Sequence, residues 1–200
     1  GYGAVNAGRE YNDVEISQRT FLEQYVKPFR MALKAKPAMV MTAFNAIDRK
    51  PISGNKELLR DLLRDKEGFD GTVISDWGSI GQLKEQGVAA NMDEAASQAI
   101  EAGVDIDMMS PAYMFRLEEL VKNGQIPESF IDESAFRVLM MKNQLGLFEN
   151  PFAGIGKSGN LTQYNRTKAY QMASESYVLL KNEKILPLSQ KQKVIWAGPY

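Results

Sequence analysis

The chain has 200 residues, 44% hydrophobic and 24% charged, which is enough to bury a core, and it holds no apolar run long enough to span a bilayer as a helix. Its formal net charge of -1 leaves no broad basic field to hold a phosphate backbone, so neither nucleic acid nor a membrane is an expected partner. Cysteine and histidine are both absent, which excludes disulfides, thiol nucleophiles and the usual transition-metal ligands; chemistry falls to carboxylates, Lys, Tyr, Arg or Ser.

Residues 1–16 are glycine-rich and polar and read as a loop. Arg9 in that loop is either solvated decoration or a bidentate donor to the hydroxyls of a polar ligand. Ser17 opens a helix carrying Phe21, Leu22, Tyr25 and Val26, and Pro28 inside the pattern should kink or restart it. Residues 38–45 form a short apolar run expected as a strand, with Phe44 and Asn45 at its carboxyl end. A turn-rich loop over residues 47–54 precedes a helix signalled by Asn55 as N-cap and by Leu58, Leu59, Leu62 and Leu63, closing at Gly68.

The chain is organised around what comes next. Gly71-Thr72-Val73-Ile74-Ser75-Asp76-Trp77-Gly78 reads as a buried parallel strand delivering a carboxylate and an indole at its carboxyl end, where ligands sit in α/β folds. From the residues alone, Asp76 is as readily a cap for the next helix as a nucleophile. Helices follow over residues 80–86 and 93–103, the latter packing through Ala95, Ala96, Ala99 and Ile100. Residues 103–109 read as a third strand on which Asp105 and Asp107 share one face. Asp107 is nearer the strand end and is the better site candidate; a structural salt bridge is the competing reading.

Helices are expected over residues 113–123 and from Pro127 to Leu145, ended by Gly124 and Gly146, with Phe136, Val138, Met140, Met141 and Leu145 as ordinary core. Residues 148–160 turn to Asn, Pro, Gly and Ser, which marks a linker. A long helix from about Thr162 to Leu180 and a strand over residues 193–200 close the sequence. Asn160-Leu161-Thr162 and Asn165-Arg166-Thr167 match the glycosylation pattern, a short motif without weight unless the host is secretory. No basic-then-apolar leader is present, and localisation stays open between the cytoplasm and the periplasm or exterior.

Gly8-Arg9-Glu10-Tyr11-Asn12, Val40-Met41-Thr42-Ala43-Phe44-Asn45, Gly68-Phe69-Asp70-Gly71-Thr72-Val73-Ile74-Ser75-Asp76-Trp77-Gly78 and Val178-Leu179-Leu180-Lys181-Asn182 occur in the order and rough spacing of glycoside hydrolase family 3. Over its whole length the chain resembles the β-glucosidase branch of that family. The resemblance implies the last three strands of a (β/α)8 barrel with their helices over residues 1–147, a linker over 148–161, and the helix and first strand of an α/β sandwich domain over 162–200. It implies a retaining exo-glycosidase that removes terminal non-reducing β-D-glucosyl residues through a glycosyl-Asp intermediate. Asp76 matches the nucleophile, Trp77 the platform beside the sugar and Arg9 a residue that binds its hydroxyls, with Asp107 a weaker substrate-binding candidate. Phe44 stands where many members have Tyr.

The family's Lys-His pair would precede Gly1 and the general acid/base would follow Tyr200, so neither is expected within these residues. No metal or organic cofactor is implied. The partners implied are a β-glucoside or oligosaccharide and the remainder of the barrel and sandwich, with a homodimer compatible, and the 200 residues alone are expected to be inactive. Two other readings stay open: a non-catalytic carbohydrate-binding protein on the same scaffold, and a β-xylosidase of the same family.

Overall fold

A computed structural model describes residues 4–155, 162–195 and 197. The chain divides into two units, Gly1–Ala153 and Gly154–Tyr200. In the first, helices and short strands alternate. Strand β1 is Asp13–Val14, β2 Met39–Met41, β3 Ala46–Ile47, β4 Lys50–Pro51 and β5 Thr72–Ile74; the α-helices are α1 Gln18–Thr20, α2 Val26–Leu33, α3 Gln82–Glu85, α4 Met92–Ala102, α5 Ala112–Lys122 and α6 Ser129–Gln144.

The barrel-like part is an arc of parallel pairings. β2 and β5 run side by side with Met39 opposite Thr72 and Met41 opposite Ile74, and Ile74 bridges to Ile106 in the same sense. The expected third strand is thus reduced to one bridge, supported by Asp105 and Ile106 N–H groups donating to Val73 O and by Ser75 N–H donating to Ile106 O. The cause lies at both ends of the segment. Gly103 stands at φ 95° and Met109 at φ 66°, and no strand among the described residues pairs with the outer edge of Ile106. The sheet is open, a portion of a (β/α)8 barrel rather than a closed one.

Local chemistry accounts for the helices. Ser17 accepts from Thr20 N–H at 3.2 Å to start α1, as expected. Upstream of Pro28 the helix widens to π geometry over Phe21–Tyr25, then resumes as α2. Proline has no N–H to return to the carbonyl of Gln24 and its ring crowds that turn, so the expected disturbance takes the form of a π segment. Asn55 Oδ1 accepts from Leu58 N–H at 3.0 Å ahead of the π-type helix Glu57–Lys66. Asn91 Oδ1 caps α4 through Glu94 N–H at 3.0 Å, and Glu94 Oε2 reaches back to Ala90 N–H at 2.8 Å.

α4 is the central helix of the core. Ala95, Ala96, Ala99 and Ile100 are buried as the spacing predicts, against Val73, Leu83, Val104 and Leu120. Alanines on that face let the helix approach the sheet and α5 closely. Burying a side chain of the size of Ile100 is worth ~1.5–3 kcal/mol.

α6 departs from expectation. Phe136, Met140 and Leu145 are exposed, not core. The helix packs instead through Ile131, Ser134 and Arg137, because its contacts run to the start of β5 and to α4, while Phe136 and Met140 line an open cavity with Phe69, Gly71 and Thr72.

The amino-terminal loop is also more ordered than its composition suggests. A 3-10 turn, Asn6–Gly8, precedes β1, which pairs in parallel with β3, and β3 turns back on β4 through Asp48 and Arg49 at φ 46° and 65°. A two-residue hairpin with positive φ at both central positions matches the strand twist.

In the second unit, α7 is Gln163–Ser176, capped by Thr162 Oγ1 accepting from Asn165 N–H at 3.2 Å. It stops four residues short of expectation, where Tyr177 turns extended at φ -71° and ψ 128°. Of the expected terminal strand, residues 193–195 and 197 lie outside any strand, and Trp196 and residues 198–200 lie outside the described residues. Residues 156–161 of the expected linker, with the first glycosylation-type motif's Asn160, also lie outside them. Among the described residues no helix is long and apolar enough to cross a membrane.

Candidate active site

The carboxyl ends of β2, β5 and the Ile106 segment lie together, and Asp76 emerges two residues beyond the end of β5. The half-buried Asp76 uses one carboxylate oxygen locally, Oδ1 accepting from Trp77 N–H at 2.7 Å. Oδ2 meets no hydrogen-bond donor among the described residues. Trp77 is 62% exposed, so its indole is no core filler. Gly78 at φ 67° carries the chain round the tight turn that follows.

The main chain of Asp76 is unusually well tied. Its N–H donates to Thr42 Oγ1 at 3.3 Å, and its carbonyl accepts from Ser75 Oγ at 3.0 Å and from Ser79 N–H at 3.1 Å. Thr42 Oγ1 lies 2.8 Å from Ser53 Oγ, which lies 2.7 Å from Ser79 Oγ. Ser75 Oγ in turn accepts from Met108 N–H at 2.8 Å. These hydroxyls are invisible to hydrophobic periodicity. The one signal they leave is that Thr42 and Ser75 each interrupt an apolar run at its carboxyl end.

Arg9 stands on the loop between the 3-10 turn and β1. Its Nε donates to Asn6 O at 3.2 Å, and no carboxylate among the described residues pairs with its guanidinium. The loop is fixed against the β3–β4 hairpin by Ala46 N–H to Asn12 O at 3.4 Å and Arg49 N–H to Asp13 Oδ1 at 2.8 Å. Tyr11 adds a ring contact with Phe44, centroids 4.6 Å apart and planes tilted by 36°. The small β1-β3-β4 sheet therefore anchors the Arg9 loop beyond the end of β2, an arrangement no residue pattern announced.

The two aspartates of the third segment have separate tasks. Asp105, whose side chain is 0% exposed, accepts from Arg64 at 2.8 Å, Arg137 at 2.9 Å and Val73 N–H at 2.8 Å. Asp107 accepts from Ser110 N–H and Tyr113 N–H, both at 3.1 Å, so each of its oxygens anchors the entry to α5. Arg64 is pulled down from the ordinary guanidinium range chiefly by burial, with Asp105 opposing and Arg137 adding to the shift. No group of three or more acidic side chains among the described residues is arranged to hold a metal ion.

The arrangement suits nucleophilic or electrostatic chemistry by a single carboxylate beside an exposed aromatic face, with guanidinium donors available on a neighbouring loop. Comparison with known proteins supplies the context. Residues 1–141 match the family described as Glycosyl hydrolase family 3 N terminal domain. A periplasmic beta-glucosidase of Salmonella typhimurium is 35% identical over 206 residues, covering 99% of this chain and 27% of that protein. A putative beta-xylosidase of Formosa agariphila is 40% identical, covering 100% of this chain and 27% of that protein. The crystal structure of a beta-glucosidase from Listeria innocua in complex with glucose superposes with a TM-score of 0.79 at 43% identity, covering 93% of this chain and 26% of that one. The chain thus spans about a quarter of the length of the relatives it matches.

Proposed function

Because the chain belongs to glycoside hydrolase family 3, we propose that it contributes the nucleophile side of a retaining exo-β-glucosidase, with Asp76 as that nucleophile. The observation that carries the reading is Asp76 itself: a carboxylate at the carboxyl end of β5 with one oxygen held by Trp77 N–H and the other open. In this reading Asp76 Oδ2 attacks the anomeric carbon of a terminal non-reducing β-glucosyl residue while a second, protonated carboxyl gives its proton to the departing oxygen. The resulting Asp76 glycosyl ester is cleaved by water, whose proton passes to the same second carboxyl. In retaining enzymes the two carboxyl groups stand about 5 Å apart.

Trp77 presents an apolar face to the C–H surface of the sugar, and Arg9 donates to its hydroxyls. Asp107 has both oxygens committed to backbone N–H groups, which favours an anchoring task over direct sugar contact. The second carboxyl belongs to sequence outside this chain in the proposed full-length enzyme. Residues 1–147 would supply barrel, 148–161 linker and 162–200 the start of the sandwich domain. The 200 residues alone are accordingly expected to show no turnover, and assembly as a homodimer fits the same proposal. The chemistry calls for no metal or organic cofactor.

The test is intact mass of the full-length protein after incubation with a 2-deoxy-2-fluoro-β-glucoside, followed by peptide mapping. A fluoroglucosyl adduct on Asp76 supports nucleophile, retention and glucose together; turnover retained by Asp76→Ala sinks the assignment. A β-xylosidase is favoured as second reading by the 40% identity to the Formosa agariphila protein. Faster labelling by the fluoroxyloside than by the fluoroglucoside would select it. Tight sugar binding with no adduct would instead select a non-catalytic carbohydrate-binding protein.

A further inference from the structure

Four buried hydroxyls surround the main chain of Asp76, and three of them close a belt around it. From Asp76 N–H the path runs to Thr42 Oγ1 at 3.3 Å, to Ser53 Oγ at 2.8 Å and to Ser79 Oγ at 2.7 Å, and Ser79 N–H returns to Asp76 O at 3.1 Å. Ser75 Oγ reinforces the carbonyl at 3.0 Å while holding Met108 N–H at 2.8 Å. Thr42, Ser53, Ser75 and Ser79 are all 3% exposed or less.

The belt joins segments remote in sequence. Thr42 follows β2, Ser53 lies in the 3-10 turn Ile52–Gly54 after the β3–β4 hairpin, Ser75 and Ser79 flank Asp76, and Met108 lies beyond Ile106. Alanine or valine at Thr42 and Ser53 would fill comparable space without the cost of enclosing hydroxyls, which is tolerated only when each finds a partner. Here the Thr42–Ser53–Ser79 chain begins at the Asp76 N–H and closes through Ser79 N–H on the Asp76 carbonyl, while Ser75 Oγ ties that carbonyl to Met108 N–H. Hydroxyls linked by hydrogen bonds inside a protein fix geometry more sharply than apolar packing does.

Resting on the reading of Asp76 as nucleophile, we propose that Thr42 and Ser53 are positioning residues: they act through the Asp76 amide to hold its free carboxylate oxygen in line for attack. They do not touch the sugar, so their effect falls on the glycosylation step rather than on sugar binding. Misplacement of a reacting group by about 1 Å is enough to cost up to ~100-fold in rate.

The experiment compares full-length wild type, Thr42→Val, Thr42→Ser and Ser53→Ala for the first-order rate of Asp76 labelling at saturating 2-deoxy-2-fluoro-β-glucoside. Each variant is also measured for glucose affinity by calorimetry and for its thermal midpoint. Thr42→Val, which keeps the shape and loses the hydroxyl, is expected to label about 10-fold or more slowly with glucose affinity unchanged. Thr42→Ser restores the rate to near wild type, and Ser53→Ala falls between. Wild-type labelling in both Thr42→Val and Ser53→Ala overturns the proposal, as does Thr42→Ser being as slow as Thr42→Val. Should Thr42→Val fail to fold, Ser53→Ala, one bond further from Asp76, decides by the same rate. No adduct on wild-type Asp76 defeats the functional reading and the positioning proposal with it; an adduct with unaffected variants defeats the positioning proposal alone.

Discussion

Asp105 and Arg64 meet at 2.8 Å with the carboxylate fully enclosed and the guanidinium nearly so. Around this pair the starts of two neighbouring strand segments are clipped to two helices. Arg64 also donates to Gly71 O at 2.9 Å and Gly103 O at 3.1 Å, and Arg137 of α6 reaches the second Asp105 oxygen at 2.9 Å. Asp105 completes its set with Val73 N–H. The site residues leave from the opposite, carboxyl ends of the same strands, so this ionic clip sets the base on which they stand.

Asp105→Ala leaves the Arg64 guanidinium enclosed without its counter-charge, while Arg137 keeps Glu133 at 3.1 Å. Removing one partner of a buried pair costs about 3–5 kcal/mol, far more than the pair's net worth. Urea denaturation should show a loss of that order. A loss below about 1 kcal/mol, the range of an exposed ion pair, would mean that water reaches the clip.

Tyr113 donates to Val104 O at 2.8 Å, and its phenol is pushed well above its ordinary value by burial first, then by Asp107 and Asp105. Below about pH 10, the unfolded-state value, both states keep the proton and this group gives no pH dependence. Above it the unfolded chain releases a proton that the folded chain retains, so stability falls as pH rises toward the folded value. Tyr113→Phe is expected to be about 1 kcal/mol less stable at neutral pH through the lost hydrogen bond. That gap should narrow above about pH 10; denaturant midpoints that stay parallel up to about pH 12 would contradict it.

Gly71 is required for space, and Gly68 for backbone conformation. A Cβ on Gly71 would sit 2.6 Å from Ala38 O and 2.7 Å from the Phe69 ring, and the carbonyl cannot yield because it accepts Thr72 N–H at 3.0 Å. Gly71→Ala should cost about 1–3 kcal/mol by forcing β2 and β5 apart. Gly68, at φ 72° with open space around it, should cost only ~1–2 kcal/mol as Ala. Thermal melts of the two variants, with a crystal structure of Gly71→Ala, separate the causes by showing a strand shift in one alone.

Trp77, 62% exposed, can be removed without opening the core, so Trp77→Ala should leave stability within about 0.5 kcal/mol. On the proposed function, the lost aromatic face should raise the full-length protein's KM by about 3- to 10-fold, the equivalent of an aromatic contact of ~0.5–1.5 kcal/mol. Unchanged KM and kcat on an aryl glucoside would remove Trp77 from the sugar site.

Much of the chain was legible because its signals are local. The alanines of α4, the Asn55 and Asn91 caps, the Ser17 start and the disturbance before Pro28 each depend on neighbours within one or two turns. The apolar run ending at Asp76 likewise announced a strand and the carboxylate at its end. Hydrophobic spacing misjudged Phe136 and Met140, since it identifies a face able to be covered and not whether anything covers it.

Only the tertiary structure could bring Thr42, Ser53, Ser79 and Met108 around the peptide groups of Asp76, or divide Asp105 from Asp107 into an enclosed counter-ion and a helix anchor. The physical reason is that hydrogen bonds and ion pairs act over about 3 Å between segments tens of residues apart, and no periodicity along the chain encodes that meeting. What the sequence determined alone was where a carboxylate and an indole would leave the sheet. Folding decided what holds them there.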